Sequence, residues 1–213
     1  MERSEAIKIV SKLQLQHLTS EERADQLEVM LLENWEDTVG WKKLPSDIQH
    51  EFENEELLSN ADESKYDCIL LLWLEDELKA VTNEFLLHKL KETSNFEGEI
   101  EGTPTELISC PCCGYRTLNE PSSYDICNVC WWEDDGQGNN DADIAMGGPN
   151  YGISLTKARF NFLTKGIYDP ERKDLIKLKK PKEMFAKGRE FILKDDNTIT
   201  ELGTNKSWRI NND

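Results

Sequence analysis

Cys110-Pro-Cys-Cys-Gly114 and Cys127-Asn-Val-Cys130 decide how this chain is read. Written out, they form C-x2-C-x13-C-x2-C, with an extra cysteine, Cys112, inside the first pair. Two cysteines separated by two residues in a tight turn can present both sulfurs to one metal ion. Two such turns at the ends of a short hairpin complete a tetrahedral thiolate site. Pro111 and Gly114 are the turn residues such a loop needs, and the glycine lets the backbone fold back after the second sulfur. In a cytoplasmic chain the pattern favours a metal site over a disulfide framework. The expected ligands are Cys110, Cys113, Cys127 and Cys130, and the expected ion is zinc; iron in a rubredoxin-like site and a thiol–disulfide pair stay open as alternatives. Cys112 either replaces Cys110 or Cys113 by a register shift or is a bystander thiol. A four-thiolate site is closed, whereas catalytic zinc keeps an open position and usually includes histidine. The three histidines, His17, His50 and His88, all precede the cysteines by more than twenty residues. The reading is therefore a structural metal, no catalytic residues and no enzyme.

Outward from this motif, the charge is uneven. The 213 residues carry 42 acidic and 25 basic side chains, a net of −17. Residues 1–100 account for −14, residues 101–165 for −5 and residues 166–213 for +2. A sequence pI near 4.6 argues against coating nucleic acid by phosphate neutralisation. The longest apolar run, Cys68 to Leu74, is seven residues, against the roughly 18 a membrane helix needs. Met1-Glu-Arg-Ser-Glu5 lacks the basic-then-apolar pattern of a secretory signal, so a cytoplasmic location is expected.

The N-terminal half reads as helical. Ser4 is positioned to cap a helix of about a dozen residues carrying Ile7, Val10, Leu13 and Leu15. Thr19-Ser-Glu-Glu22 is a capping box ahead of Ala24, Leu27, Met30, Leu31 and Trp35. Pro45-Ser46 with Gln49 suggests a second box. From Tyr66 to about Leu90 the spacing of Ile69, Leu70, Trp73, Leu78, Val81, Phe85, Leu86 and Leu90 predicts one long amphipathic helix. The run Cys68–Leu74 alone would equally suit a buried strand. Cys68 reads as a small buried hydrophobe. Four helices in about 95 residues make a small bundle. Residues 94–105 read as a linker, with a short strand at Phe96–Ile100.

Beyond the cysteines, Trp131 and Trp132 are expected to pack rather than form a contact patch. Glu133, Asp134, Asp135, Asp141 and Asp143 match no EF-hand register and read as a solvated acidic loop. Ser154 caps a helix closed by Gly166. Glu190–Leu193 and Thr198–Leu202, with a turn at Asp195–Asn197, predict a hairpin. The fold class is α+β: an acidic helical domain over 1–95, a cysteine-rich zinc-ribbon-like module with short strands and one helix over 105–168, and a C-terminal extension over 169–213.

The strings Cys110-Pro-Cys-Cys-Gly-Tyr-Arg-Thr-Leu118, Tyr124-Asp-Ile-Cys-Asn-Val-Cys-Trp-Trp-Glu-Asp-Asp135, Gly148-Pro-Asn150 and Ser154-Leu-x-x-Ala-Arg-x-Asn-Phe162 resemble the bacterial cysteine-rich CPCC domain over about 110–165. The helical half is similar to an extension found on some members, and the tail after about 168 falls outside the resemblance. The resemblance implies zinc held by the two cysteine pairs and, for some members, genes beside polymorphic toxins. Two functional expectations follow. One is a non-enzymatic binding protein with a protein partner, most concretely an immunity protein whose acidic face meets a basic toxin. The other is a zinc-ribbon module contacting nucleic acid or a regulatory machine. The cations of 101–165 are only Arg116, Lys157, Arg159 and Lys165, so a basic patch would have to come from the tail around Lys173–Lys182.

Overall fold

The computed structural model describes residues 1–32, 40–54, 60–93 and 96–210. Trp35 and the start of the expected linker at Ser94 lie outside them. The chain is mixed α+β, with seven α-helices and five strands among the described residues. It divides into two compact units, Met1–Pro104 and Thr105–Asp213.

The first unit holds α1 (Arg3–His17), α2 (Ser20–Leu32), α3 (Ser46–Glu53), α4 (Asp67–Glu77) and α5 (Asn83–Thr93). Leu27, Met30, Ile48, Tyr66, Ile69 and Leu70 are among the residues forming its core, and α1 packs on α4 and α5. The Thr19 box forms as read: the Glu22 amide donates to Thr19 Oγ1 at 3.2 Å, and the Thr19 amide donates to Glu22 Oε2 at 2.8 Å. The Ser46 box does not form. Pro45 takes the capping position, and the Gln49 side chain instead donates to the carbonyls of Trp41 and Leu44, tying the preceding turn to α3. Nor does Ser4 cap α1, which starts one residue earlier behind Glu2. Glu2 forms an isolated bridge with Glu101, and no strand spans Phe96–Ile100.

The run Cys68–Leu74 is helical, as the extended reading had it, but the long helix from Tyr66 is two helices. The interruption has two causes. Thr82 caps α5 by accepting from the Phe85 amide at 3.2 Å. Arg3, 7% exposed, donates from its guanidinium to the carbonyls of Leu78, Lys79 and Val81 and to Asn83 Oδ1. A distant cation thus satisfies the carbonyls that an unbroken helix would have paired internally. Cys68 is half-buried at the edge of the core rather than inside it, and its thiol donates to the Lys65 carbonyl.

The second unit is built from β1 (Ile108–Ser109), β2 (Arg116–Leu118), α6 (Leu155–Lys165), the short α7 (Lys173–Ile176) and an antiparallel sheet β3–β4–β5 (Phe191–Leu193, Thr198–Glu201, Ser207–Arg209). Ser154 caps α6 by accepting from the Lys157 amide, and Gly166 closes it in the left-handed region at φ 75°. The expected hairpin is β3–β4, in register from Phe191–Glu201 to Leu193–Ile199; β5 was not foreseen. α6 packs on β3 and β4. At the centre sits Arg159, fully buried, its guanidinium lying 4.4 Å from the Phe191 ring centre and 4.1 Å from that of Trp208. It donates from Nε to the Pro111 carbonyl and from an Nη to Asn139 Oδ1, so one side chain joins helix, sheet and cysteine loop.

Candidate metal centre

The two cysteine loops are built alike. In the first, the Gly114 amide donates to the Cys110 carbonyl (3.0 Å) and the Cys110 amide to the Tyr115 carbonyl (2.8 Å). In the second, the Trp131 amide donates to the Cys127 carbonyl (2.8 Å) and the Cys127 amide to the Trp132 carbonyl (2.9 Å). Both turns need a left-handed residue after the second cysteine. Gly114 supplies it at φ 82°, and Trp131 does so at φ 67°. The first loop joins β1 to β2; an isolated bridge between Ile126 and Glu133 brackets the second.

This arrangement brings Cys110, Cys113, Cys127 and Cys130 together, all buried, with their four Sγ atoms within 4.8 Å of one another. Cys110 and Cys130 are 3.6 Å apart and Cys113 and Cys127 3.5 Å. Four thiolates around a tetrahedral ion at about 2.3 Å would sit roughly 3.8 Å from each other, so the geometry fits such an ion. None of the six cysteines is joined in a disulfide. Cys112 is buried but stands outside the four-sulfur set. His17, His50 and His88 belong to the other unit.

The electrostatics set one of the four sulfurs apart from the other three. Burial pushes the Cys110 thiol up to about 11 and those of Cys113 and Cys130 well above their ordinary value. Burial acts on Cys127 too, but hydrogen bonds from Cys110, Cys113, Cys130 and Thr117 outweigh it, and its thiol lies well below the usual range. Thr117 Oγ1 donates to Cys127 Sγ at 3.1 Å. A hydroxyl from β2 therefore holds one sulfur as an acceptor, a role the cysteine spacing gave no hint of.

Residues 108–183 match the family model described as Cysteine-rich CPCC.

No curated protein and no solved structure matches the chain. The CPCC match runs beyond the 110–165 resemblance, taking in α7 and the start of the lysine-rich segment behind it. Backbone hydrogen bonds tie the chain behind α7, within the match and just beyond its end at 183, to the cysteine loops. The Lys180 amide donates to the Asn128 carbonyl, the Arg116 amide to the Ala186 carbonyl, and the Gly188 and Arg189 amides to the Gly114 carbonyl. Residues 180–189 are a strap laid over both cysteine loops. A Cβ on Gly114 would stand 2.0 Å from the Arg189 carbonyl oxygen, so glycine is required there by contact as well as by φ.

The neighbouring residues divide between packing and polar work. Trp132 is fully buried, edge-on to Tyr168 at 6.1 Å, while Trp131 is half-buried. The acidic loop is not simply solvated. Asp134, 5% exposed, accepts from the Ser122 amide; Asp141 accepts from the Gly138 amide; Asp143 accepts from Thr156 Oγ1. These carboxylates organise the loop that precedes α6.

Proposed function

We propose that the chain is a non-enzymatic binding protein whose CPCC module is held together by one zinc ion on Cys110, Cys113, Cys127 and Cys130. The observation that carries this reading is the buried cluster of four sulfurs in a unit whose sequence contains no histidine. Zinc there would supply folding energy to a unit with few strands, and not a reactive water. We place the protein in the cytoplasm, where thiols stay reduced; among the described residues no helix is long and apolar enough to cross a membrane. The partner is a protein. Its most concrete form is a basic toxin that this chain neutralises as an immunity protein, met by the −14 charge of residues 1–100. Such a charge would speed association with a basic surface.

Two measurements test the reading. Metal analysis of protein purified without chelator should return one zinc per chain, and freely titrating thiols without metal would overturn the site. Co-expression with the product of the adjacent gene should relieve its toxicity, with an association rate that falls steeply between about 50 and 500 mM salt. Failure to protect, or a salt-independent rate, would remove the immunity reading while leaving the metal site standing. The alternative, a zinc-ribbon nucleic-acid or regulatory module, draws on the lysine strap; a gel shift at low salt without retention disposes of it.

A further inference from the structure

The strap, α6 and the cysteine loops border an open cleft that the metal reading leaves unused. Its volume is about 490 Å³, within the roughly 300–1,000 Å³ of small-ligand sites. Tyr115, from the first loop, and Phe162 and Leu163, from α6, are apolar members of its wall. Tyr115 and Phe162 meet edge-on, with ring centres 6.3 Å apart. Lys179, Lys180, Lys182 and Lys187 line the same cleft, and among the described residues no carboxylate or arginine does. This is a local reversal of sign: residues 173–189 hold seven cations and two anions in a chain of net −17. Lys179 donates to the Gly166 carbonyl, and Lys187 lies 3.7 Å from Glu190 and over the Tyr115 ring. Lys182 is exposed and forms no ion pair among the described residues.

We propose that this cleft binds a mononucleotide, with its phosphates on the lysines and its base against Tyr115 and Phe162. Lysine ammoniums act as point charges suited to phosphate, whereas a carboxylate ligand is matched better by the arginine fork that the cleft lacks. A flat base finds an aromatic wall on which stacking works irrespective of sequence. The limited volume of the cleft and the negative charge of the rest of the chain favour a single nucleotide over a polymer. Val129, between Cys127 and Cys130, also lines the cleft, so both cysteine loops shape it. The proposal goes beyond the protein-partner reading and stands without it.

Calorimetric titration of the full-length zinc-loaded chain with ADP, GDP and UDP tests it, alongside adenosine, inorganic phosphate and an eight-nucleotide single-stranded DNA. At least one diphosphate should bind saturably, with adenosine and phosphate each at least about tenfold weaker. Lys182→Glu combined with Lys187→Glu should weaken that binding by at least about tenfold at an unchanged melting temperature, while Lys91→Glu on α5 leaves it intact. Phe162→Leu should weaken the nucleotide but not phosphate. Absence of saturation with all three diphosphates up to about 10 mM would overturn the proposal. So would indifference to the paired lysine substitution, phosphate binding as tightly as the nucleotide, or the oligonucleotide binding more tightly than any of them.

Discussion

Gly114 illustrates how much a single residue carries. It needs φ 82°, and a methyl group there would collide with the Arg189 carbonyl that closes the strap. Gly114→Ala should lower the stability of the second unit by about 2 kcal/mol or more, read by denaturant unfolding with a probe in that unit. The equivalent position in the second loop tolerates Trp131, so a left-handed turn alone does not demand glycine; the close backbone approach does. Among the thiols, Cys127→Ser should abolish metal retention and draw on the roughly 10–16 kcal/mol that structural zinc contributes. Cys112→Ser should cost only about 1–3 kcal/mol for a buried hydroxyl and leave the metal in place. Equal loss of metal in both variants would contradict the ligand set.

Between elements, the decisive contacts are single cations reaching distant carbonyls. Arg3 ends α4, and Arg159 joins α6 to the cysteine loop and to the sheet. Arg159 remains charged at neutral pH although burial lowers its pKa to about 10. Arg159→Met, similar in volume but without the two donated hydrogen bonds, should destabilise the second unit by about 2–4 kcal/mol, seen as a lower denaturant midpoint at unchanged slope. In the first unit, Glu51 accepts from Lys65 Nζ at 2.6 Å and from the buried Tyr66 hydroxyl at 2.9 Å. The Lys65 hydrogen bond is the main reason its carboxyl lies below the ordinary value. A depressed carboxyl stabilises the fold above its unfolded pKa and loses that contribution as pH falls through the folded pKa. The gap in unfolding midpoint between the wild type and Glu51→Gln should therefore be full at pH 7 and shrink below about pH 4.

For the whole molecule, the two compact units imply two responses to chelation. The first has its own core of helices and no cysteine cluster; the second surrounds the four sulfurs. Removing metal with a strong chelator should erase the near-ultraviolet signal of Trp132 and Trp208 while most of the helical signal persists, because five of the seven helices among the described residues lie in the first unit. Loss of both signals together would show that the units do not respond separately.

Spacing and capping made much of this legible in the sequence. The C-x2-C pairs need only local turns, so the approach of the two sulfurs within each pair follows from residues a few positions apart. The Thr19 and Ser154 caps, the Gly166 stop and the β3–β4 hairpin are local in the same sense. What the sequence could not show depends on partners far along the chain. Arg3 splits a helix that periodicity reads as continuous, and a strap that begins 50 residues beyond the second cysteine pair covers both loops. Thr117 turns a hydroxyl onto Cys127 Sγ, and Asp134 is drawn inward from a loop that composition alone leaves in solvent. Hydrophobic period and turn chemistry act over a few residues. The partner that satisfies each buried carbonyl, thiolate or guanidinium is set only when the tertiary fold brings distant segments into contact.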